Sequence, residues 1–364
     1  MGGLAKTARA WQRDPLGSPV GSETSFNINI ARLAQAMQSQ PHRNTLLGGN
    51  AMTIPAKTVL SLAILSLAAG TAHADQRALS ANATGLAVDS PCGRSVTIEP
   101  DPQLHGRVDV TATATHAQEL AQLTLTSTGN GARLGIPEGQ SCWRPVEEVE
   151  GITLGLANNF KRTLDITIRV PSGAAISVEE SSTAHYALGA IGGPLNLDIS
   201  GQADLTAASA TTIKADLSGG GAVTIGAADG ALSLNKSGSA VFRVNGGKLA
   251  AAKLDLSGSG DVILAVSGID ALSLQNSGSA KVTLSGSVDH AALSLSGSGD
   301  VQLNAANIAV LSLESSGSAS VRVSGAVGTA SLDVSGSGDV WLGRVTGTLS
   351  KDSSGSGEIH IGAN

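Results

Sequence analysis

The groups in this chain that could do chemistry are carboxylates set beside hydroxyls at a fixed spacing. Asp261, Asp300 and Asp339 each close a Ser-Gly-Ser-Gly run. Ser257, Ser259 and Asp261 thus form one set, Ser296, Ser298 and Asp300 a second, and Ser335, Ser337 and Asp339 a third, 39 residues apart. Such sets could act as acid and base on a polysaccharide, supply oxygen ligands to calcium, or form a repeated polar surface that binds without turnover. A polysaccharide lyase or hydrolase needs clustered carboxylates, a basic partner and aromatic platforms for sugar rings. Here aromatic residues are only 2% of the chain, and within the regular repeats only Phe242 and Trp341 are of that kind. Trp341 aligns with Ile263 and Gln302 and is expected to stand outward and alone. The calcium β-roll needs GGxGxDxUx on a nine-residue period, and this chain offers about twice that period with one Asp per two units. His105, His116, His185, His290 and His360 form no HExxH or i,i+4 pair for zinc. The GSG triplets lie between strands, not between strand and helix, so they cradle no nucleotide. No catalytic residue, metal ligand or cofactor is assigned, and the plainer role of any single serine is to fit a tight corner and stay solvated.

Those sets are positioned by the unit that carries them. LDLSGSGDVIL at 254–264 recurs as LSLSGSGDVQL at 293–303 and LDVSGSGDVWL at 332–342. Variants lie between and before them: LSLNKSGSAVFRV at 232–244, LSLQNSGSAKVTL at 272–284 and LSLESSGSASVRV at 311–323. In an extended chain alternate side chains point to opposite sides. Leu293, Leu295, Gly297, Gly299, Val301 and Leu303 then share one face, and Ser294, Ser296, Ser298, Asp300 and Gln302 the other, a half-buried strand pair bent at Gly-Ser-Gly. The marker serines Ser218, Ser237, Ser257, Ser277, Ser296, Ser316, Ser335 and Ser354 step by 19 or 20 residues, and Ser200 and Ser181 extend the series to ten units. A repeat this short buries its apolar face only by stacking, which predicts an all-β parallel β-helix of about 19–20 residues per coil. A flattened coil of 39 residues is the competing geometry. It would place Asp261, Asp300 and Asp339 directly above one another at ~4.8 Å, an unfavourable like-charge column, so the shorter coil is favoured.

Residues 1–51 carry five basic residues against Asp14 and Glu23 and no sustained apolar period. Met52 then opens a secretory leader, with Lys57, an apolar stretch at 59–69, and Ala72-His73-Ala74 before Asp75. Translation is expected to begin at Met52 with cleavage after Ala74, leaving 1–51 as a non-native extension. The apolar stretch is too short for a membrane span. The six basic and two acidic residues ahead of Asp75 leave 17 and 27 in the mature chain, a formal charge of −10. That balance argues against nucleic acid. Cys92 and Cys142 are the only cysteines, and in an exported protein two cysteines most simply form one disulfide. Segment 75–172 reads as an irregular β-rich cap over the open end of the coils at 173–364. It is expected to hold strands at 95–99, 107–115, 152–156 and 164–170, a helical turn at 115–123 with Thr115 and Gln118 as a capping box, and a hairpin about Gly129-Asn130-Gly131. In the last unit Lys351 takes the place of an inward Leu, with Glu358 and His360 outward, so the C-terminal coil either discourages edge pairing or associates with a second copy.

With its leader, its strand-Pro entry LDITIRVPSGAAISVEESS and its SGSGDV units, the chain resembles the bacterial head GIN domain family of putative auto-transporter adhesins. The resemblance implies a right-handed parallel β-helix and a role in the cell envelope or at the surface. It supplies no catalytic residues. No alternating ~10-residue segments of a membrane barrel follow the repeats, so the mature chain is expected in the periplasm or secreted, not inserted in a membrane. The expected function is a non-enzymatic, adhesin-like scaffold with an envelope protein or glycan as partner. The alternative is a polysaccharide-acting enzyme.

Overall fold

The computed structural model describes residues 74–362 apart from 130, 144–145, 150–151, 156–160 and 306. The 1–51 extension and, Ala74 aside, the leader lie outside the described residues. Strict alternation builds the fold. Leu293, Leu295, Val301 and Leu303 are buried, while Ser294, Ser296, Ser298 and Asp300 are exposed. A strand with one apolar face gains little by itself, so each coil lays that face against identical coils above and below. Leu254 stands beside Leu274 and Leu274 beside Leu293 in parallel register, steps of 20 and 19 residues. The result is a β-solenoid of about ten turns with coils about 19 residues apart. The 39-residue coil is therefore excluded.

Each coil feeds three parallel ladders. One carries the LxLxL run, as where 271–276 lies on 251–256. The second carries VxL, as where 282–284 lies on 262–264, and a short third joins 268–269 to 287–288. The 39-residue rhythm comes from two alternating corners. The inward residue before each corner runs Leu217, Lys236, Leu256, Asn276, Leu295, Ser315, Val334 in register. Four residues on stand Gly221, Ala240, Gly260, Ala280, Gly299, Ala319 and Gly338. An apolar corner residue is thus followed by Gly, and a polar one by Ala. At Asn276 the side-chain amide donates to the Ala280 carbonyl (2.8 Å) and Oδ1 accepts from the Gly278 N–H (3.1 Å), so the polar side chain serves the corner's own backbone. Gly260 adopts φ +83°, which Ala does not take readily.

The N-terminal segment combines a coil with an end cover. Its strands are β1 (Asp75–Asn82), β2 (Gly85–Asp89), β3 (Ser95–Asp101) and β4 (Arg107–Ala114), then the helix α1 (Ala117–Gln122), the hairpin β5 (Thr124–Thr128) and β6 (Gly131–Gly135), the pair β7 (Val146–Val149) and β8 (Ile152–Gly155), and β9 (Asp165–Pro171). The chain then enters the repeats through β10 (Ala175–Glu180) and β11 (His185–Ala190). Chain order is not stacking order. Strands β2 and β3 pair in parallel with β6 and β9 on one side and with β10 and β11 on the other, so the first coil made is inserted second in the stack. Beyond β6 and β9 the pairing turns antiparallel, through β5 on one ladder and through β4 and then β1 on the other. Reversed strands end the parallel stack, and α1 packs over β1 and β4.

Helix α1 is not started by the expected capping box. His116, not Thr115, is the N-cap and makes no side-chain cap hydrogen bond, and the Thr115 N–H that the box would offer to Gln118 donates instead to Thr163 Oγ1 (2.9 Å). The other end is served by Arg77, whose guanidinium donates to the carbonyls of Leu120 (2.6 Å) and Leu123 (2.8 Å). Buried Glu119 accepts from the Thr163 N–H and Oγ1 and from the Leu164 N–H (3.1, 2.8 and 3.1 Å), which fixes where β9 begins.

One side chain of β11, at the entry to the repeats, makes the alkaline limit of the fold measurable. Tyr186, the chain's single tyrosine, donates to buried Glu180 Oε2 (2.7 Å), whose other oxygen accepts from Ser182 N (2.8 Å) and Oγ (2.6 Å). Burial first, then the Glu180 charge and this hydrogen bond, push the phenol well above its ordinary value. A folded-state pKa raised above the unfolded one contributes stability that is complete below about pH 10 and is lost as pH climbs toward the folded value. Absorbance at 295 nm is therefore expected to stay at the neutral-tyrosine level past pH 11 and to rise together with unfolding. A simple titration near pH 10 in the folded protein would contradict this burial.

Candidate functional site

Because alternate residues face outward, the Ser-Gly-Ser corners bring their hydroxyls into two columns up the solenoid. Ser237, Ser257, Ser277, Ser296, Ser316 and Ser335 form one, and the serines two residues later form the other, all exposed. The carbonyl and N–H groups between them are used within the stack: Ser298 N donates to Gly278 O and Ser318 N to Gly297 O, both 3.1 Å. The backbone is thus fixed while the hydroxyls face solvent. Ser277, Ser296, Ser298, Ser316, Ser335 and Ser337 lie along one shallow depression of about 640 Å³.

In two of the three sets the acidic member has a local task. Asp300 Oδ1 accepts from the Ser320 N–H (3.2 Å) and Asp339 Oδ1 from the Glu358 N–H (2.9 Å), each in the next coil. Asp204 does the same for Ala222 (3.0 Å). These carboxylates brace successive coils, and the alternation of Asp261, Lys281, Asp300, Ser320 and Asp339 keeps like charges apart until the last step, where Glu358 follows Asp339.

A denser acidic column lies on the other side of the first serine. The outward position just before each corner runs Asp198, Asp216, Asn235, Asp255, Gln275, Ser294, Glu314, Asp333 and Asp352 in register. Neighbours tame its lower half: Lys214 and Lys253 reach Asp216 (3.4 Å) and Asp255 (2.9 Å), and Asn235 Nδ2 donates to Asp216 Oδ1 (2.6 Å). Asp198, Asp216 and Asp255 line a groove of about 530 Å³ whose opposite wall is the serine column. Reading along each unit hides this column, whereas aligning units by the marker serine would expose it, since Asp255 and Asp333 hold one place in LDLSGSGDV and LDVSGSGDV.

Trp341 is outward as expected but not alone. The Arg322 guanidinium lies 4.8 Å from its ring centroid, and the His360 ring stacks at 5.6 Å with 13° between planes. Arg322, Trp341 and His360 occupy one position on three consecutive coils, so the ring's neighbours along the stack are side chains of the same ladder. This ladder uses the indole as a packing surface, which weakens it as a sugar platform. Among the described residues no three of His, Cys, Asp or Glu come together as ligands for a metal ion, and no helix is long and apolar enough to cross a membrane. Cys92 and Cys142 are joined in a disulfide.

A family model described as "putative auto-transporter adhesin, head GIN domain" matches residues 147–271, 230–343 and 268–364. The chain belongs to this family. The matched stretches cover the regular coils, including both serine columns and the acidic one. Among solved structures this family member is similar to a putative adhesin from Parabacteroides distasonis at 14% identity, over 80% of this chain and 98% of the other, with a TM-score of 0.38. A structure from the same organism named a putative lipid binding protein has the same identity, coverage and score. A putative adhesin from Parabacteroides merdae follows at 12% identity, 80% and 97% coverage and a TM-score of 0.37. No curated protein sequence matches the chain.

Proposed function

We propose that this protein is an exported, non-enzymatic scaffold of the bacterial cell envelope that binds an extended glycan along its serine columns. The observation that carries the reading is the unbroken double row of exposed hydroxyls on a fixed backbone from Ser237 to Ser356. A rigid array repeating every ~4.8 Å offers the same donor and acceptor pattern many times. It suits a polymer whose own polar groups repeat, and weak contacts add up along it. The acidic column beside the array lies within a Debye length of ~8 Å at physiological salt, so it disfavours uronate-rich or sulfated chains and favours neutral or amino-bearing ones.

The test uses the chain expressed in a bacterial host and recovered from the envelope fraction or medium. Its N-terminus should be Asp75, and it should bind neutral or amino-sugar polysaccharides on an array without shortening them. The triple variant Ser298→Ala/Ser318→Ala/Ser337→Ala should fold normally and bind about tenfold more weakly, ~1.4 kcal/mol. Recovery of an intact Met1, release of shortened products, or undiminished binding by the triple variant would each overturn the proposal.

A further inference from the structure

Several polar side chains at the corners of the solenoid are committed to neighbouring groups. The Lys236 ammonium donates to the carbonyls of Gly238 (3.4 Å) and Gly260 (3.3 Å), Asn235 Nδ2 donates to Asp216, and both ends of the Asn276 amide serve the corner that follows it. Asn245 is not committed in this way. It stands exposed in the corner between the strands Val241–Val244 and Gly247–Leu256, and its side chain makes no hydrogen bond among the described residues.

The residue after it is Gly246, so no side chain shields the next backbone nitrogen from the Asn245 amide carbon. The groups on either side of that nitrogen are held by the coil below: Asn245 N donates to Ile225 O (2.9 Å), and Gly246 O accepts from Ala228 N (3.0 Å). The Gly246 N–H itself donates to no acceptor among the described residues. A nitrogen tied into a ladder would first have to give up a hydrogen bond with a net worth of about 0.5–1.5 kcal/mol. Gly246 has none to give up.

We propose that Asn245 is a site of spontaneous modification, converted to aspartate and isoaspartate by its own neighbour and water. The Gly246 nitrogen bonds to Asn245 Cγ, the Cγ–Nδ2 bond breaks, and Nδ2 leaves as ammonia with the proton that Gly246 N gives up, which closes a five-membered imide. Water then opens the ring. Attack at Cγ restores the main chain and leaves Asp, whereas attack at the main-chain carbonyl leaves isoaspartate, whose chain runs on through Cβ and Cγ. No oxidant or reductant is involved. The two products differ in what they do to the stack. Asp keeps the path of the corner, but isoaspartate adds one carbon between the Asn245 N–H and the Gly246 carbonyl, the two groups that the coil below holds, and the longer path does not fit both bonds.

The solenoid supplies its own comparison. Asn304 occupies the same place three coils on and is likewise exposed, but Ala305, a buried residue, follows it. The test keeps the full chain folded at mildly alkaline pH in water enriched in heavy oxygen, then digests it and maps the label by mass spectrometry. Asn245 should take up the heavy atom about tenfold faster than Asn304, as a mixture of aspartate and isoaspartate. Asn276 should remain an amide. Gly246→Ala places a Cβ 3.1 Å from Gly226 O without a left-handed φ, so it should fold, and it should slow the conversion about tenfold. Asn245→Asp should melt as wild type does, while protein aged to isoaspartate should show faster hydrogen exchange at 225–228 and 245–247. Equal rates at Asn245 and Asn304, no heavy oxygen at residue 245, or a rate unchanged in Gly246→Ala would overturn the proposal. The first two are read on wild-type protein and decide it whatever the Ala variant does.

Discussion

Replacing Gly297 by Val is expected to destabilise the solenoid by about 3 kcal/mol or more, whereas Ser298→Ala next to it should stay within about 0.5 kcal/mol of wild type. The difference lies in what each position meets. A Cβ built on Gly297 would fall closer than 3.0 Å to the carbonyl of Gly278 in the neighbouring coil, and the same holds for Gly278 against Gly258 and for Gly317 against Gly297. The obstacle is backbone, which cannot swing aside as a side-chain tip can, so two coils must separate or shift register. Gly297 has no positive φ, so the requirement comes from close approach and not from conformation. In a stack where each coil touches only its neighbours, the loss should be local at first. Hydrogen exchange should show protection falling around 277–303 before it falls near 195–217. Equal stability of the Val and Ala variants would mean that the corners are looser than described.

The parts of the fold that depend on one residue per coil were readable along the chain, and the parts that depend on pairing between distant stretches were not. Alternation about Leu293 to Leu303 determines which side chains are inside, and the step of the marker serines determines coil length, because both are local and repeat many times. The hairpin of β5 and β6 was likewise announced by its Gly-containing turn. The insertion of β2 and β3 between β9 and β10 had no such signal, since parallel pairing of stretches some 70 to 90 residues apart leaves no local trace. The capping box failed for a related reason: the Thr115 N–H that Gln118 would have to reach is taken by Thr163 Oγ1, a partner 48 residues away. At the candidate site alternation alone places the serines on the outward face, where they are exposed, while the column of Asp198, Asp216, Asp255 and Asp333 went unread. Its members are separated along the chain by neutral residues and meet only when coils are stacked. The alternation of polar and apolar corner residues was visible as two unit types, but its meaning needed the hydrogen bonds of Asn276 and Lys236.

Breaking the disulfide is expected to have the second large effect, and its location decides what form that takes. Cys92 lies in the corner between β2 and β3 and Cys142 follows β6, so the bond ties the corner of the inserted coil to the loop that leaves β6. A cross-link spanning 50 residues contributes ~4 kcal/mol if it acts by restricting the unfolded chain. Cys92 also holds a left-handed backbone, φ +61°, which costs a non-glycine residue about 1–2 kcal/mol. Cys142→Ser should therefore lose the cross-link and keep the strain, while Cys92→Gly/Cys142→Ser should recover about 1 kcal/mol of that loss. The ranking by denaturant midpoint should be wild type, then the double variant, then the single one. Exchange should quicken across β1 to β9 in both variants, while the coils from 254 to 342, which touch none of these strands, keep their wild-type protection. Uniform loss of protection along the whole solenoid would show instead that the end cover and the coils unfold as one unit, and that covering the first coil governs the stability of all the others.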